Sequence, residues 1–273
     1  MNNLSASIVA YKNSPDILSQ AIGSFLENTN NSQLFVIDNS PSDDLRCLMN
    51  HPRITYIFNN RNVGFGAGHN ISIRQILGQS KYHIVLNPDV YFDKNVIERL
   101  YNYMEGNPCV GQVMPKVVYP DGRLQHLCKL LPTPKTLFVR RFLNFLKTPT
   151  KKENYHYELH VSGYNKIIDV PFLSGCFMFL RTNALEKSGL FDERFFLYTE
   201  DADLTRRIHK YYRTVYFPEV TVYHHHARKS YTNSWLLILH IQSAIRYFNK
   251  WGWFVDHERE IINQKTLLKL VSP

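Results

Sequence analysis

Apolar runs of strand length alternate with segments of helical periodicity along the amino-terminal part of the chain. The intervening segments repeat apolar residues every three or four positions, which is the spacing of one buried helix face. Strands are predicted at residues 7–11, 34–37, 54–58 and 83–86, and helices at residues 15–27, 43–49 and 67–78. Such alternation predicts an α/β fold in which helices flank a mostly parallel central sheet.

The rest of the chain is predicted to contain an insert, a second set of strands and a helical end. Prolines interrupt the pattern from about residue 120 to 166, which indicates a variable insert. Later strands are predicted at residues 168–173, 176–180, 214–217 and 220–224, and helices at residues 203–211 and 234–251. We therefore expect one domain over residues 1–233, with halves at 1–119 and 167–233 around the insert at 120–166, and a helical extension at 234–273.

The composition is that of a globular protein with an anionic partner. The 273 residues are 44% hydrophobic, enough for a full core. Lysine and arginine number 32 against 23 acidic residues, and the net charge of +9 favours nucleic acid, nucleotide phosphate or an acidic membrane. The four cysteines form no CxxC pair and no secretory pattern precedes them, so we expect reduced thiols in a cytoplasmic protein.

Membrane contact is expected to be peripheral, because no apolar run reaches the roughly 18 to 20 residues that span a bilayer. A basic amphipathic insert suits an anionic membrane surface, and a solvated face over a buried aromatic stripe is the alternative. Its basic residues are Lys135, Arg140, Arg141, Lys147, Lys151 and Lys152. On the last predicted helix, a stripe of Leu237, Ile241, Ile245 and Phe248 indicates core packing or membrane docking, and Trp235, Trp251 and Trp253 add to the membrane interpretation.

Two carboxylates follow predicted strands, at the sheet edge where an open α/β fold binds its ligand. Asp38 would accept the imide N–H of a pyrimidine base, or form the Asx turn that Asp-Asn-Ser-Pro favours. Asp89 follows the strand at 83–86, and its oxygens suit a Mg²⁺ or Mn²⁺ ion that bridges substrate phosphates.

Glycines and histidines mark two further places on that edge. The run Gly64-Phe65-Gly66-Ala67-Gly68 does not fit a dinucleotide fingerprint, so its glycines are expected to allow close approach to a ligand or a tight helix entry. In His224-His225-His226, alternation places His224 and His226 on one face. One imidazole would join Asp89 on a divalent ion, with Arg228 and Lys229 near phosphate oxygens, or the histidine is structural.

The most acidic stretch is Glu200-Asp201-Ala202-Asp203. Its carboxylates would cap the amino terminus of a helix, where the helix dipole favours negative charge. Alternatively, a carboxylate held at the mouth of a pocket would take a proton from a substrate hydroxyl as a general base.

Taken in order, these motifs resemble the inverting family 2 glycosyltransferases, and within them the bacterial rhamnosyltransferase branch. The matching runs are Ile8-Val9-Ala10-Tyr11, Val36-Ile37-Asp38-Asn39-Ser40, Asn62-Val63-Gly64-Phe65-Gly66-Ala67-Gly68-His69-Asn70, Leu86-Asn87-Pro88-Asp89, Leu173-Ser174-Gly175-Cys176, Glu200-Asp201-Ala202-Asp203-Leu204 with Arg207, and Val222-Tyr223-His224. The resemblance covers about residues 5–250 and implies a GT-A fold, a nucleotide-sugar donor and a divalent cation, Mg²⁺ or Mn²⁺. The half at 1–119 would then bind nucleotide and the half at 167–233 would carry the acceptor and catalysis.

The resemblance also implies a role for each matching residue. Asp201 would be the general base, Asp38 would read the base, and Asp89 and His224 would hold the metal. The donor-binding residues would be Ala10, Tyr11, Asp38, Asn62, Gly64, Asn70, Asn87 and Asp89, and the acceptor-side residues Ser174, Gly175 and Glu200. The fuller family motif has an aspartate at Asn87, so the cation keeps one less anionic neighbour here.

The function implied is transfer of L-rhamnose from dTDP-rhamnose to a lipid-linked bacterial surface glycan, such as O-antigen or capsule, at the inner face of the cell membrane. A UDP-hexose or galactofuranose donor would use the same motifs, and so would a non-catalytic sugar-nucleotide-binding protein. A nucleic-acid-binding protein would explain the charge but not the strand-end carboxylates, which repel phosphates. We therefore expect no nucleic-acid partner.

Overall fold

The computed structural model describes residues 3–137, 150–225 and 234–271. Its strands are β1 (Leu4–Ala10), β2 (Gln33–Asp38), β3 (Ile54–Phe58), β4 (Tyr82–Leu86), β5 (Val90–Phe92), β6 (Val110–Val118), β7 (Cys128–Lys129), β8 (Ile168–Asp169), β9 (Phe172–Leu173), β10 (Phe177–Arg181) and β11 (Arg213–His224). Its α-helices are α1 (Pro15–Asn28), α2 (Phe65–Ile76), α3 (Val96–Gly106), α4 (Thr150–Tyr157), α5 (Thr182–Ser188), α6 (Glu200–His209), α7 (Ser234–Trp251) and α8 (His257–Val271). Short 3₁₀ helices lie at Asp44–Met49 and His160–Ser162.

A twisted central sheet organises the molecule. Among the described strands its order is β3-β2-β1-β4-β10-β6-β11-β5, with β8 also paired to β11. β1 to β4, β6 and β11 run in one direction, and β5, β8 and β10 run against them. β7 and β9 form a separate antiparallel pair. The predicted α/β architecture is confirmed, with an antiparallel β10 in the middle of the sheet that the periodicity does not reveal.

Helices cover both faces of this sheet because its strands are apolar on both sides. In β4, Ile84 packs in the cluster that contains residues of α1 and α3, whereas Val85 packs in the cluster that contains residues of α2, α5 and α6. In β10, Phe179 packs in the first of these clusters and Met178 in the second. Strands buried on both faces read as continuous apolar runs.

The strand register brings the predicted site residues to one edge. Ala10 lies opposite Asp38 across the β1–β2 pair, at the carboxyl ends of both strands. Because β10 runs against β4, its first residue, Phe177, lies opposite the last residue of β4, Leu86. Tyr223, near the end of β11, pairs with Val118 at the end of β6. The segments that follow β1, β2, β4, β6 and β11, and the one before β10, therefore meet at this edge.

Several elements differ from the predictions. Helices α3, α5 and α8 and strands β5 and β6 were not predicted from the sequence. Residues 214–217 and 220–224 belong to a single strand, β11, whose register shifts between Phe217 and Thr221. Tyr11 lies just beyond β1, and the helix predicted from residue 203 already begins at Glu200.

The carboxyl-terminal helix α7 packs against the rest of the molecule along a different stripe from the predicted one. Its buried residues are Leu239, Ser243, Ala244, Tyr247 and Phe248. Of the predicted stripe, Phe248 is buried but Ile245 is exposed, so the assignment of Ile245 to the core-facing stripe is wrong. A different face of α7 is buried because Tyr247 and Ala244 pack with Phe195 and Ala202, near the start of α6. Of the helices described, none combines the length and apolarity that crossing a bilayer requires.

Part of the predicted membrane surface lies outside the described residues. This applies to Arg140, Arg141 and Lys147 of the insert, and to His226, Arg228 and Lys229 after β11. Two of the three tryptophans of the membrane interpretation are engaged inside the protein. The Trp251 indole N–H donates to Asp203, and the Trp253 ring packs on Phe248. Trp235 is 61% exposed.

Candidate active site

A cavity of about 600 Å³ opens at the carboxyl edge of the sheet. Of the residues predicted for the site, its lining includes Asn87, Ser174, Gly175, Glu200, Asp201 and His224. The other predicted residues, Ala10, Tyr11, Asp38, Asn62, Gly64, Asn70 and Asp89, do not line it. The acceptor-side and catalytic predictions thus converge on one cavity, while most donor-side predictions lie elsewhere along the edge.

Asp201 lies in the first turn of α6 with its carboxylate held by backbone N–H groups. Gly175 N–H donates to Oδ2 at 2.9 Å, and Ala202 N–H donates to Oδ1 at 2.8 Å. Burial raises the pKa of Asp201, against the opposing effects of the Gly175 N–H, the Lys129 charge and the Ala202 N–H. A carboxylate whose pKa is raised accepts a proton more readily, which is what a general base needs.

Glu200 is the neighbouring carboxyl group and is almost fully buried. Its Oε2 has no hydrogen-bond partner among the described residues. Burial raises the pKa of Glu200, and the adjacent negative charge of Asp201 raises it further. These two effects outweigh the backbone hydrogen bonds from Glu200 and Tyr198, so Glu200 keeps its proton to a higher pH than an ordinary glutamate does.

The segment before α6 is strained and tied to α7. Tyr198 and Thr199 both adopt positive φ, at 73° and 61°, which is uncommon for residues with a side chain. Ser243 of α7 donates its hydroxyl to Leu197 O at 2.7 Å, and the Thr199 hydroxyl donates to Ser243 O at 3.3 Å. These hydrogen bonds hold the start of α6 so that Glu200 and Asp201 lie at the cavity wall.

Asp203 has a structural part in the same helix. It is fully buried and pairs with Arg207 at 2.9 Å and Lys250 at 2.7 Å. The Trp251 indole N–H donates to the same carboxylate at 2.8 Å. Asp203 therefore joins α6 to the end of α7, and of the acidic cluster only Glu200 and Asp201 line the cavity.

Two glycines allow close packing around the start of α6. At Gly175 a Cβ atom would lie 3.1 Å from Asp201 Cβ and 3.4 Å from the Phe65 ring. Gly64 has a φ of +89°, and a Cβ there would collide with the carbonyl of Phe196. Phe65 N–H donates to that same carbonyl at 2.9 Å. The glycine run thus permits close packing of α2 on the segment before α6, as expected for tight helix entry.

Asp89 and His224 lie side by side at the end of β4 and β11. His224 Nε2 is 3.4 Å from Asp89 Oδ1, and His225 N–H donates to the Asp89 carbonyl at 3.1 Å. Burial lowers the pKa of His224, but the contacts with Asp89 and Cys176 outweigh it and raise that pKa to about 10. A divalent cation that replaced the proton on His224 Nε2 would contact the Asp89 carboxylate and this imidazole nitrogen.

This pair fits a divalent ion that completes its coordination with substrate phosphates and water. Mg²⁺ and Mn²⁺ sites of that kind use few protein ligands, and oxygen with imidazole nitrogen suits Mn²⁺. Over the described ranges, no cluster of three or more His, Cys, Asp and Glu side chains could by itself hold a metal. Metal binding by Asp89 and His224 therefore stays a prediction, and it would need ligands from substrate or water.

Asp38 is buried and already engaged inside the protein. Ser40 N–H donates to Oδ1 at 2.9 Å, which is the Asx turn considered above, and the Tyr56 hydroxyl donates to Oδ2 at 2.7 Å. Burial raises the pKa of Tyr56, followed by the bond to Asp38, so that this hydroxyl stays protonated. A carboxylate has about four acceptor positions, so two remain for a base edge that reaches it. Recognition of a base by Asp38 stays a prediction.

The remaining donor-side residues divide into a loop network and a buried support. Asn62 Oδ1 accepts from Gly64 N–H at 3.0 Å, and the Asn39 amide reaches Gly64 O at 3.3 Å. Asn70 is fully buried and its amide bonds to Phe191 O at 2.9 Å and Glu193 Oε1 at 2.8 Å. Asn70 thus holds the 191–193 segment. Its donor-binding role is untested, as is that of exposed Tyr11 and of Ala10, whose carbonyl accepts from Asn39 N–H.

The insert contributes much of the cavity wall, which the sequence analysis did not anticipate. Its polar lining residues include Gln125, His126, Lys129, Asn154, Tyr157 and Glu158, and α7 adds His240. A turn signal was available in Pro120-Asp121-Gly122, which predicts that the chain reverses directly after β6 and returns to the sheet edge. The insert is therefore part of the site.

Comparison with known proteins decides the family. A model described as "Glycosyl transferase family 2" matches residues 6–189, more than half of the chain. The chain belongs to glycosyltransferase family 2. The matched region of this family 2 glycosyltransferase contains Asp89 and Gly175 and ends before Asp201, so the catalytic prediction at Asp201 rests on the geometry and on the resemblance.

Two relatives are about equally similar to this glycosyltransferase. The N-acetylglucosaminyl-diphospho-decaprenol L-rhamnosyltransferase of Mycobacterium tuberculosis is 26% identical over 212 residues, covering 72% of this chain and 67% of that protein. The low-salt glycan biosynthesis hexosyltransferase Agl10 of Haloferax volcanii is 26% identical over 209 residues, covering 76% of this chain and 62% of that protein. The chain thus spans about two thirds of the length of each relative.

Solved structures support the predicted GT-A fold. GalNAc-T7, crystallised with UDP, GalNAc and Mn²⁺, aligns with a TM-score of 0.60 at 14% identity, over 81% of this chain and 43% of that one. The mannosyltransferase PcManGT of Pyrobaculum calidifontis, in complex with GDP-Man and Mn²⁺, aligns with a TM-score of 0.57 at 17% identity, over 89% and 64%. At these identities the likeness confirms the fold alone.

Proposed function

We propose that this glycosyltransferase moves L-rhamnose from dTDP-rhamnose to a lipid-linked glycan, with inversion at the anomeric carbon. The observation that carries the reaction type is Asp201, a half-buried carboxylate with a raised pKa at the wall of the 600 Å³ cavity. The name of the Mycobacterium tuberculosis relative supports both the sugar and the lipid-linked acceptor.

Asp201 would act as the general base. The acceptor hydroxyl attacks the anomeric carbon from the face opposite the nucleotide, and Asp201 takes its proton as the new bond forms. A helix amino terminus by itself weakens a carboxylate as a base. Here burial works in the opposite direction and raises the pKa of Asp201, which supports this role. Ser174, Gly175 and Glu200 would line the acceptor side.

Asp89 and His224 would hold Mg²⁺ or Mn²⁺ through a carboxylate oxygen and an imidazole nitrogen. When bound, the cation neutralises charge on the diphosphate leaving group. The Mn²⁺ in the structures of GalNAc-T7 and PcManGT supports a divalent ion. The donor itself would lie along the edge formed by Ala10, Tyr11, Asp38, Asn62, Gly64 and Asn87.

A lipid-linked acceptor would be met at a membrane surface. Support comes from exposed apolar side chains of the carboxyl-terminal part, namely Trp235 at 61%, Phe254 at 84% and Val255 at 70% exposure. We expect the protein to float with anionic vesicles at low salt, and the double variant Trp235→Ser, Phe254→Ser to float less. Absence of wild-type protein from the vesicle fraction would contradict membrane association without bearing on catalysis.

The testing experiment presents the purified protein with dTDP- and UDP-sugars, with and without Mn²⁺ or Mg²⁺, beside Asp201→Asn. We expect cation-dependent turnover of dTDP-rhamnose, and a loss of about 10²- to 10⁴-fold in Asp201→Asn with donor binding retained. Preference for a UDP-hexose or a galactofuranose donor would reassign the substrate. If the wild-type protein bound the donor without turnover, we would conclude that it is a non-catalytic sugar-nucleotide-binding protein.

A further inference from the structure

Gln125 makes two hydrogen bonds to the same residue, His224. Gln125 Oε1 is 3.0 Å from His224 Nδ1, and Gln125 Nε2 donates to the His224 carbonyl at 2.8 Å. Both side chains are buried, and both residues line the cavity. A buried amide with both of its ends paired to one partner holds that partner in place more firmly than one bond does.

The chemistry of these groups determines which nitrogen of His224 faces the cavity. A carbonyl oxygen only accepts, so the NH₂ end of Gln125 must point to the His224 carbonyl. Oε1 then points to Nδ1, and because Oε1 also only accepts, Nδ1 must carry a hydrogen. This holds for both the neutral and the protonated ring. Nε2 is therefore the nitrogen whose lone pair could bind a cation in the neutral ring, and it is the one that lies 3.4 Å from Asp89 Oδ1.

A tight hairpin presents Gln125 at this position. Gly122 has a φ of +85°, and its N–H donates to Tyr119 O at 2.9 Å. Asp121 accepts from Arg123 N–H at 3.0 Å, which closes the turn. Gln125 N–H then donates to Val117 O of β6 at 2.9 Å. The glutamine is thus anchored through its backbone to the sheet and through its side chain to His224.

We propose that Gln125 is the positioning residue of the metal-binding histidine: it fixes the His224 ring so that Nε2, beside Asp89, is the cation ligand. The inference rests on the proposed metal site. Groups that orient a ligating histidine through its second nitrogen typically change metal affinity by about 10- to 100-fold when removed. A residue of the apparently variable insert would then set how tightly the cation binds.

The test measures Mn²⁺ affinity by electron paramagnetic resonance in the full-length protein with dTDP present. We expect Gln125→Leu and Gln125→Asn to weaken Mn²⁺ binding by about 10- to 100-fold, since leucine cannot pair with the ring and asparagine is too short to make both bonds. Gln125→Glu should weaken Mn²⁺ binding less than these two variants, because a carboxylate still accepts from Nδ1–H although it cannot donate to the His224 carbonyl. Binding of dTDP without metal should be the same in all variants.

Gln112 of β6 offers a matched control. It is fully buried, and neither amide atom has a hydrogen-bond partner among the described residues. Gln112→Leu should leave Mn²⁺ affinity unchanged. If wild type binds Mn²⁺ and the Leu and Asn variants at 125 bind it equally well, the inference is overturned while the metal site stands. If wild type binds no Mn²⁺, the proposed metal site fails and the positioning role fails with it. Should Gln125→Leu not fold, the Asn and Glu variants decide between these outcomes.

Discussion

The backbone N–H of Gly175 donates a 2.9 Å hydrogen bond to the carboxylate of Asp201, a residue 26 positions further along the chain. This bond joins the loop before β10 to the first turn of α6, and so connects the acceptor side of the cavity to its proposed base. The bond also holds one carboxylate oxygen, which orients the other toward the helix start and the cavity. The placement of the Asp201 carboxylate thus depends on a position that has no side chain.

Replacement of Gly175 by alanine should therefore impair catalysis more than donor binding. The added Cβ would lie 3.1 Å from Asp201 Cβ, so Asp201 must shift by a few tenths of an ångström. A displacement of about 1 Å at a reacting group costs roughly 10²-fold in rate, so a smaller shift should cost roughly two- to tenfold. We expect kcat to fall by that factor with an unchanged dissociation constant for the nucleotide, measured by steady-state kinetics and calorimetry.

Gly23→Ala is the matched control, since a Cβ at Gly23 in α1 would meet nothing within 4 Å. This variant should keep full activity and gain about 0.4–1 kcal/mol of stability. Equal activity in the two alanine variants would contradict a role of the Gly175 contact in placing Asp201.

Glu200→Gln should stabilise the protein increasingly as pH rises. The pKa of Glu200 is raised by burial and by Asp201 above its ordinary value of 4.5. Above about pH 4.5 the unfolded chain gains from ionisation while the folded group resists it, so wild type loses stability as pH rises toward the folded pKa. The difference in unfolding free energy between variant and wild type should be smallest near pH 4 and grow toward pH 8, by about 1.4 kcal/mol per pKa unit.

Urea unfolding at several pH values would measure this difference. Glu186, an exposed glutamate on α5, provides the comparison. The difference for Glu200→Gln should change more with pH than the difference for Glu186→Gln. A flat difference for Glu200→Gln would mean that Glu200 ionises normally in the folded protein.

Substitution of Asp89 should change the Mn²⁺ dependence of turnover, whereas substitution of nearby Asp93 should not. Asp89 lies 3.4 Å from His224, whereas exposed Asp93 only meets the Tyr223 hydroxyl at 3.4 Å. We expect Asp89→Asn to raise the Mn²⁺ concentration for half-maximal turnover by at least about tenfold, because one anionic ligand is lost. Chelation should abolish turnover in wild type, and addition of Mn²⁺ should restore it. Parallel shifts in the two asparagine variants would argue against Asp89 as a ligand.

The link between α6 and α7 should be measurable as stability. Trp251→Phe removes the indole N–H that donates to buried Asp203 at 2.8 Å but keeps an aromatic ring beneath Arg206. A hydrogen bond to a charged group contributes about 1.5–3 kcal/mol, so we expect a loss of that size in chemical unfolding. Trp253→Phe removes an indole N–H that donates to Asn249 at an exposed site, and we expect it to cost less than about 1 kcal/mol. Equal losses would show that ring volume, not the bond to Asp203, determines the effect.

Sequence periodicity was sufficient for the elements whose residues are close along the chain. The cores of β1 to β4 and the helices α1 and α2 follow from local spacing, whereas α3, β5 and β6 do not. The placement of Asp38 and Asp89 at or after strand ends follows as well. The sequence also indicates Asp201 as a candidate by its charge at the start of a helix, and His224 by its ligand chemistry at the end of a strand. The family and its GT-A fold were predicted from these ordered motifs and are confirmed by the comparisons.

Contacts between distant residues decided the rest. The Gln125–His224 bonds span 99 positions and depend on how β6 and β11 pair, which no local pattern encodes. Asn70 donates to the Phe191 carbonyl, 121 positions away, which no local pattern predicts, and its donor-binding role stays a prediction. On α7, helical spacing predicts a stripe, but packing against α6 selects which residues form it, and Ile245 was left outside. Local chemistry therefore determined which residues could act, and the tertiary structure decided which of them meet, because hydrogen bonds and packing depend on distance in space and not on separation along the chain.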